Sequence, residues 1–414
     1  MSSKGFVLIV QYPASGHINP TLPVAAELVR RGHRVDFVVP EHYRAIVEPT
    51  GARVLPYPSL IPPRWTGVRI PHHPDADQLA TAQVGLIRET LTPLPSIVSG
   101  LGGERPDVIV YDVLGSAAGR MLSLAWGVPA VVTCPTFVEN ETFSPYAEAV
   151  AAGDIEVPDP AHPAMREAAA IVRSSLDTWR LRDVAVADFL SGADERCHLV
   201  FLPREFQPGA DTFDERFHFL GPCLRSGADD GGWSPPDSGR PVVLVSLGTL
   251  GYEGAEDMLR AAVRATRLAG AHAVVALGEV DPAALGPVGE HVELHRRVPQ
   301  LAVLRHAAAF LSHAGMNSTM EALATGVPLV HLPQTGEQRM VAERVAELGM
   351  GRMETAPDAA RLAAALHAVR APEVAAAVAG MRAAIAAAGG AGAAADLVAA
   401  RMARTSGGTP RNRR

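Results

Sequence analysis

FLSHAGMNSTMEALATGVPLVHLPQTGEQ, Phe310 to Gln338, carries the pattern that sets the fold class. An apolar strand ending at Ser312 runs into His313, Gly315, Asn317 and Ser318, then a helix, a second strand and the polar pair Glu337-Gln338. Strand, helix and strand in that order are a βαβ unit of a parallel sheet. In such open sheets ligands bind outside the carboxyl ends of the strands, where these polar groups fall. A helix N-terminus presents unpaired N–H groups and a partial positive charge, which favours a phosphate. Gly315 lets the backbone come close, while His313 and Ser318 add side-chain donors. A reading without a ligand stands beside it: Ser318 and Glu321 fit the S-x-x-E capping box, and His313 fits an ordinary turn.

Outward from this stretch the same rhythm continues. Phe6–Val10, Val35–Val39, Pro106–Tyr111 and Ala130–Thr133 read as buried strands, with a helix near 117–126 stopped by Gly127. Asn19 with Pro20 reads as a helix start and Gly32 as its end. The segment LRSGADDGGWSPPDSGR, 224–240, is rich in Gly, Pro, Ser and Asp and reads as a linker. After it come strand 241–246, a helix over 256–268, strand 273–277 and strands near 292–294 and 309–312. The expectation is two doubly wound, Rossmann-like α/β domains, 1–223 and 241–404, with a cleft between them, a C-terminal helix that can return to the first domain, and a disordered tail over 405–414. The irregular stretches 56–77 and 136–163 are long for loops, and with the helices of 164–190 read as walls of a substrate cleft.

Composition narrows the chemistry. At 414 residues the chain exceeds one ordinary core, and 48% hydrophobic with 20% charged residues reads as soluble and globular. The formal net charge of −7 argues against nucleic-acid partners. Lys4 is the sole lysine, so a Schiff base and a P-loop lysine are excluded. Cys134, Cys197 and Cys223 are too widely spaced for a disulfide framework or a zinc site and suit a reducing cytoplasm. Nothing resembles a signal peptide, and the Ala-rich stretch 374–400, broken by Arg382, Gly389-Gly390 and Asp396, reads as a soluble helix rather than a stable membrane span.

The run from Val298-Pro299-Gln300 through His313-Ala-Gly-Met-Asn317-Ser318, Glu321 and Gly326-Val-Pro328 to Glu337-Gln338 resembles the nucleotide-sugar signature of family 1 glycosyltransferases, inverting enzymes of the GT-B fold. SGHINP near the start and SLGT after the linker agree with that layout, and the bacterial branch acting on macrolides and other natural products is the nearest in style. The resemblance implies that His313 and Ser318 contact the diphosphate, with Gly315 and Asn317 shaping the loop and Ser246 and Thr249 closing the other side. It implies Glu321 on the ribose, Gln300 and the Val298 backbone on the base, and Glu337 and Gln338 on the sugar. Two departures bear on the donor. Arg297 stands where the family often has a base-stacking Trp; a guanidinium also stacks, and the choice between uracil and thymine stays open. Glu337 stands where Asp is common, which leaves the sugar open.

Inverting transfer needs a base for the acceptor hydroxyl. His17 follows the first strand and Asp112 ends DVIVYD, so both fall on one sheet edge, and the family uses a His-Asp pair of this kind. Asp112 could instead cap the following helix. No metal and no cofactor are expected; the UDP-sugar is a co-substrate, and a hydrophobic small molecule is the acceptor, in a monomer or homodimer. Trp65, Phe137, Phe143, Tyr146, Trp179 and Phe189 are candidate acceptor walls, each of which can equally be core. The rivals are a TDP-deoxysugar transferase, a lipid-linked glycosyltransferase, a non-catalytic nucleotide-binding subunit and an epimerase. A dehydrogenase, which wants G-x-G-x-x-G, is met by QYPASGHINP instead.

Overall fold

The computed structural model describes residues 4–63, 69–70, 74–192, 195–225, 232–248 and 251–406. Trp65 and Thr249 lie outside the described residues, as does 226–231 of the expected linker. The strands in chain order are β1 (Phe6–Val10), β2 (Arg34–Pro40), β3 (Arg53–Tyr57), β4 (Arg69–Ile70), β5 (Val108–Asp112), β6 (Ala130–Cys134), β7 (His198–Val200) and β8 (Phe217–Phe219). They continue as β9 (Val242–Ser246), β10 (Gly251–Tyr252), β11 (His272–Ala276), β12 (Val292–His295), β13 (Ala307–Ser312), β14 (Leu329–His331) and β15 (Gly351–Met353).

Two large parallel sheets result, of order β3-β2-β1-β5-β6-β7-β8 and β12-β11-β9-β13-β14-β15, and β10 and β4 pair in a small third one. The central strands of the large sheets, FVLIV, VIVYD and VVLVS, are apolar on both faces because helices cover both, the sequence signature of a parallel sheet. In each large sheet the strand order reverses once. The reversal falls between β1 and β5 in the first and between β9 and β13 in the second, and a ligand crevice opens where chains leave a sheet in opposite directions. This is the expected GT-B architecture.

The apolar stretch Pro372–Met402 has the length and composition of a membrane span. It forms two helices, Pro372–Ala387 and Gly390–Ser406, parted at Gly389, whose φ of 93° a side chain would strain. The second helix lays Ala394, Ala395 and Val398 against Ile9, Leu22 and Leu28 of the first sheet's layer. Arg31 holds it there through Asp396 and the Gly392 carbonyl. Helical backbone runs through Ser406, past the expected limit at 404.

Two local expectations are corrected. Asn19 does not cap a helix: a helical turn, Ser15–Ile18, precedes it, Asn19–Thr21 is a 3-10 turn, and the helix proper is Leu22–Arg30. Ser318 does not open a capping box. Gly315 occupies the N-cap of helix Met316–Thr325 and offers no side chain, so the first N–H groups of that helix are uncapped.

Candidate active site

Both members of the expected base pair leave the first reversal point. Asp112 ends β5 and is fully buried; His17 stands in the turn after β1 with 20% of its side chain exposed. The His17 Nδ1 lies 2.8 Å from Asp112 Oδ2, which leaves Nε2 as the ring nitrogen available to a substrate. Asp112 Oδ1 accepts from the backbone N–H of Leu114 and Gly115, at 2.9 and 3.1 Å. Asp112 does not cap the following helix, whose N-cap is Gly115: one of its oxygens orders the turn before that helix and the other holds the imidazole. Burial alone would lower the His17 pKa, but the charge and hydrogen bond of Asp112 outweigh it, and Glu337 adds its own charge, so the net displacement is upward from 6.5.

Glu337 belongs to the other sheet's domain. The helix that carries it follows β14, and the two domains meet across the cleft. Contacts across the gap fix that relation: Asn317 Nδ2 donates to the Gly16 carbonyl at 2.8 Å, and Thr136 Oγ1 to Glu337 Oε1 at 2.7 Å. Arg339 donates twice to Asp154 Oδ2, at 2.8 and 2.6 Å. These partners were missed in the sequence because each depends on the packing of one domain on the other.

At the second reversal point β9 and β13 end in register, Ser246 beside Ser312. Each serine hydroxyl accepts from the backbone two residues on, Gly248 N–H and Ala314 N–H. Ala314 adopts φ of 65°, a left-handed conformation rare for alanine, at the turn between β13 and the helix. His313 packs behind this turn with the Nε2 end of its ring against two glycines. A Cβ built on Gly315 would stand 2.5 Å from its Nε2, and one on Gly248 2.6 Å from both Nε2 and Cε1. A side chain at either glycine would run into the ring. Burial brings the His313 pKa down to about 4 against a smaller opposing contact with the Ser246 backbone, so the imidazole is neutral at pH 7.

Gln300 Nε2 donates to Glu321 Oε2 at 2.7 Å and Ser318 Oγ at 3.1 Å, binding three expected donor residues into one cluster on neighbouring helices. Burial raises the Glu321 pKa, with Gln300 opposing. Arg297 is exposed and Val298 half-buried just before helix Gln300–Leu304. Gln338 is nearly buried, its Nε2 on Tyr252 Oη at 2.6 Å and its Oε1 receiving the Gln334 N–H at 2.9 Å.

The acceptor walls fare less evenly. Tyr146 is 49% exposed. Phe137 stacks on Phe206 and meets Phe143 edge-on, and Phe189 is buried under Arg120, so Phe137 and Phe189 are core. Trp179 is half-buried. It packs edge-on against Trp126, the far end of helix Ser116–Trp126, whose near end follows Asp112. At about 1.5 Å per residue, that end lies roughly 16 Å along the helix from the end near Asp112. Val113 and Leu114, directly after Asp112, are exposed apolar residues beside it. Apolar residues just past a strand's polar terminus were the available signal.

Comparison with known proteins fits this geometry. Residues 234–371 match the family model described as UDP-glucoronosyl and UDP-glucosyl transferase. The NDP-glycosyltransferase YjiC of Bacillus licheniformis is 36% identical over 351 residues, 84% of this chain and 84% of that protein. The chain belongs to this glycosyltransferase family. The oleandomycin glycosyltransferase of Streptomyces antibioticus is 35% identical over 363 residues, 85% of this chain and 79% of that one. Among solved structures, the calicheamicin glycosyltransferase CalG4 superposes with a TM-score of 0.83 at 34% identity, over 97% of this chain and 99% of its own. The protein is thus a family 1 UDP-glycosyltransferase of the GT-B fold, within the bacterial natural-product branch.

Proposed function

We propose that this glycosyltransferase moves a hexose, with inversion, from UDP-glucose to a hydroxyl of a hydrophobic natural product such as a macrolide, ansamycin or polyphenol. The observation that carries this reading is the His17–Asp112 pair, held at 2.8 Å and opposed across the cleft by Glu337. His17 Nε2 takes the acceptor's proton as its oxygen attacks the anomeric carbon from the face opposite the diphosphate. The carbon–oxygen bond to the diphosphate breaks, and Asp112 stabilises the imidazolium. The leaving charge meets the uncapped helix N-terminus at Gly315, with His313, Ser318 and Ser246 assigned to the same diphosphate. Glu321 takes the ribose, Gln300, Val298 and Arg297 the base, and Glu337 and Gln338 the sugar. Asn317, through the Gly16 carbonyl, ties the phosphate loop to the loop that carries the base.

A second reading, a TDP-deoxysugar donor, is kept open by Arg297 at the base-stacking position. One assay separates them. UDP-glucose and TDP-glucose are offered separately against a pooled panel of hydroxylated natural products, with and without chelator, and products are weighed by mass spectrometry. A product one hexose heavier, from UDP-glucose and indifferent to chelator, is the expected result. Transfer from the thymidine donor alone moves the assignment to the second reading; tight UDP binding without transfer to any acceptor speaks for a non-catalytic subunit.

The pH profile supplies a further check. Only neutral imidazole accepts a proton, so kcat/KM is expected to fall on the acid side through an inflection above 6.5. Glu337→Gln removes one of the charges that raise His17, so the inflection moves to lower pH. His313, near 4, contributes none close to neutrality. An acid limb unmoved by Glu337→Gln would contradict the assignment of His17.

A further inference from the structure

The donor residues assigned above share a buried neighbour. Tyr252 ends β10, and its side chain is almost wholly enclosed. Its hydroxyl oxygen receives the Gln338 Nε2–H at 2.6 Å, and its ring centroid lies 6.0 Å from that of His313. The Glu337 charge also bears on this hydroxyl. One phenol therefore stands among the phosphate-side histidine and both sugar-side residues. The orientation of the Gln338 amide follows from its two ends. The Gln334 N–H can only donate, so the oxygen faces it, and the nitrogen turns to Tyr252. Tyr252 is anchored in turn by backbone pairing: β10 lies parallel to β4, with Gly251 opposite Arg69 and Tyr252 opposite Ile70.

We propose that Tyr252 is a positioning residue for the donor sugar. It fixes the Gln338 amide so that the amide's second N–H and remaining carbonyl lone pair are presented to sugar hydroxyls without rotamer freedom to be lost on binding. An amide held in advance binds more tightly than one that must be ordered by its ligand. The contact with His313 is a tilted ring contact that phenylalanine keeps, so loss of the hydroxyl is expected to act on the sugar and spare the diphosphate. The inference rests on the donor-site reading above.

The test needs no acceptor. Binding of UDP-glucose and of free UDP is measured calorimetrically for the wild type, Tyr252→Phe, Gln338→Ala and the double variant. Phenylalanine keeps the buried ring, and UDP affinity is expected to stay within about twofold, while UDP-glucose binds about tenfold more weakly, the effect of one well-made hydrogen bond. In the Gln338→Ala background the same substitution is expected to add nothing. Equal losses for UDP and UDP-glucose, or a full Tyr252→Phe penalty persisting without Gln338, would overturn the inference. A loss in Gln338→Ala unmatched by Tyr252→Phe overturns only the role of Tyr252. Unaltered UDP-glucose affinity in Gln338→Ala, or no binding of either ligand by the wild type, overturns the donor-site reading and this inference with it.

Discussion

Gly315→Ala is expected to weaken UDP binding by roughly 10- to 100-fold while the protein stays folded. The added methyl would sit 2.5 Å from His313 Nε2 and 2.8 Å from Cε1, closer than any real Cβ contact. The same end of the ring lies against Gly248, so the ring has little room to give and the turn must move instead. Overpacking of a tight site costs about 1–3 kcal/mol, which converts to that range in Kd. The displaced turn carries the uncapped N–H groups of helix Met316–Thr325, so the loss falls on the phosphates. Gly248→Ala should cost more, because φ of 83° adds backbone strain to a similar clash. Gly85, in a helix with nothing within 4 Å of its absent Cβ, is the control: Gly85→Ala leaves UDP affinity unchanged. Isothermal titration with UDP reads all three. Wild-type affinity in Gly315→Ala would remove the helix N-terminus from the donor site.

His17→Ala is expected to lower kcat by roughly 10²- to 10⁴-fold, the usual contribution of a positioned base, with UDP affinity kept. Asp112→Asn should approach the same loss by a different route. An amide presented to Nδ1 can offer the ring a donor in place of an acceptor, and the imidazole then settles in the tautomer whose Nε2 carries a proton and cannot take one. Asp112 also orders the turn through Leu114 and Gly115, so this variant should lose some stability as well, visible as a lower melting temperature. The two substitutions act on one unit. The double variant is therefore expected to be scarcely slower than His17→Ala, and a fully multiplicative loss would show that the residues work separately.

Much of this site was legible in the sequence because it lies where regular elements end. Strands such as FVLIV and VIVYD announce their burial, and the residues just beyond them, His17, Asp112, Ser246 and His313, fall at the carboxyl edge by construction. Which of those edges meet is topology, and the βαβ rhythm supplies it. What resisted reading has a common physical cause. The Asn317–Gly16, Thr136–Glu337 and Arg339–Asp154 contacts depend on how one domain sits on the other, and no local period encodes that. The aromatics of the long irregular segments were equally opaque. An isolated Phe137 or Trp179 looks alike whether it faces a cleft or a core, since only a repeat of two or 3.6 residues tells one face from another. Ser318 and Glu321 show a different failure: the capping-box spacing was real, but Gln300, brought in from a neighbouring helix, engages both side chains instead.

The central claim is that His17 removes the acceptor's proton opposite a bound nucleotide sugar. Single-turnover transfer from UDP-glucose by His17→Ala, beside the wild type and with UDP saturation verified in both, tests it most directly. The account predicts wild-type binding with transfer slowed by at least about a hundredfold. Undiminished transfer by the variant would contradict it and assign the base to another residue.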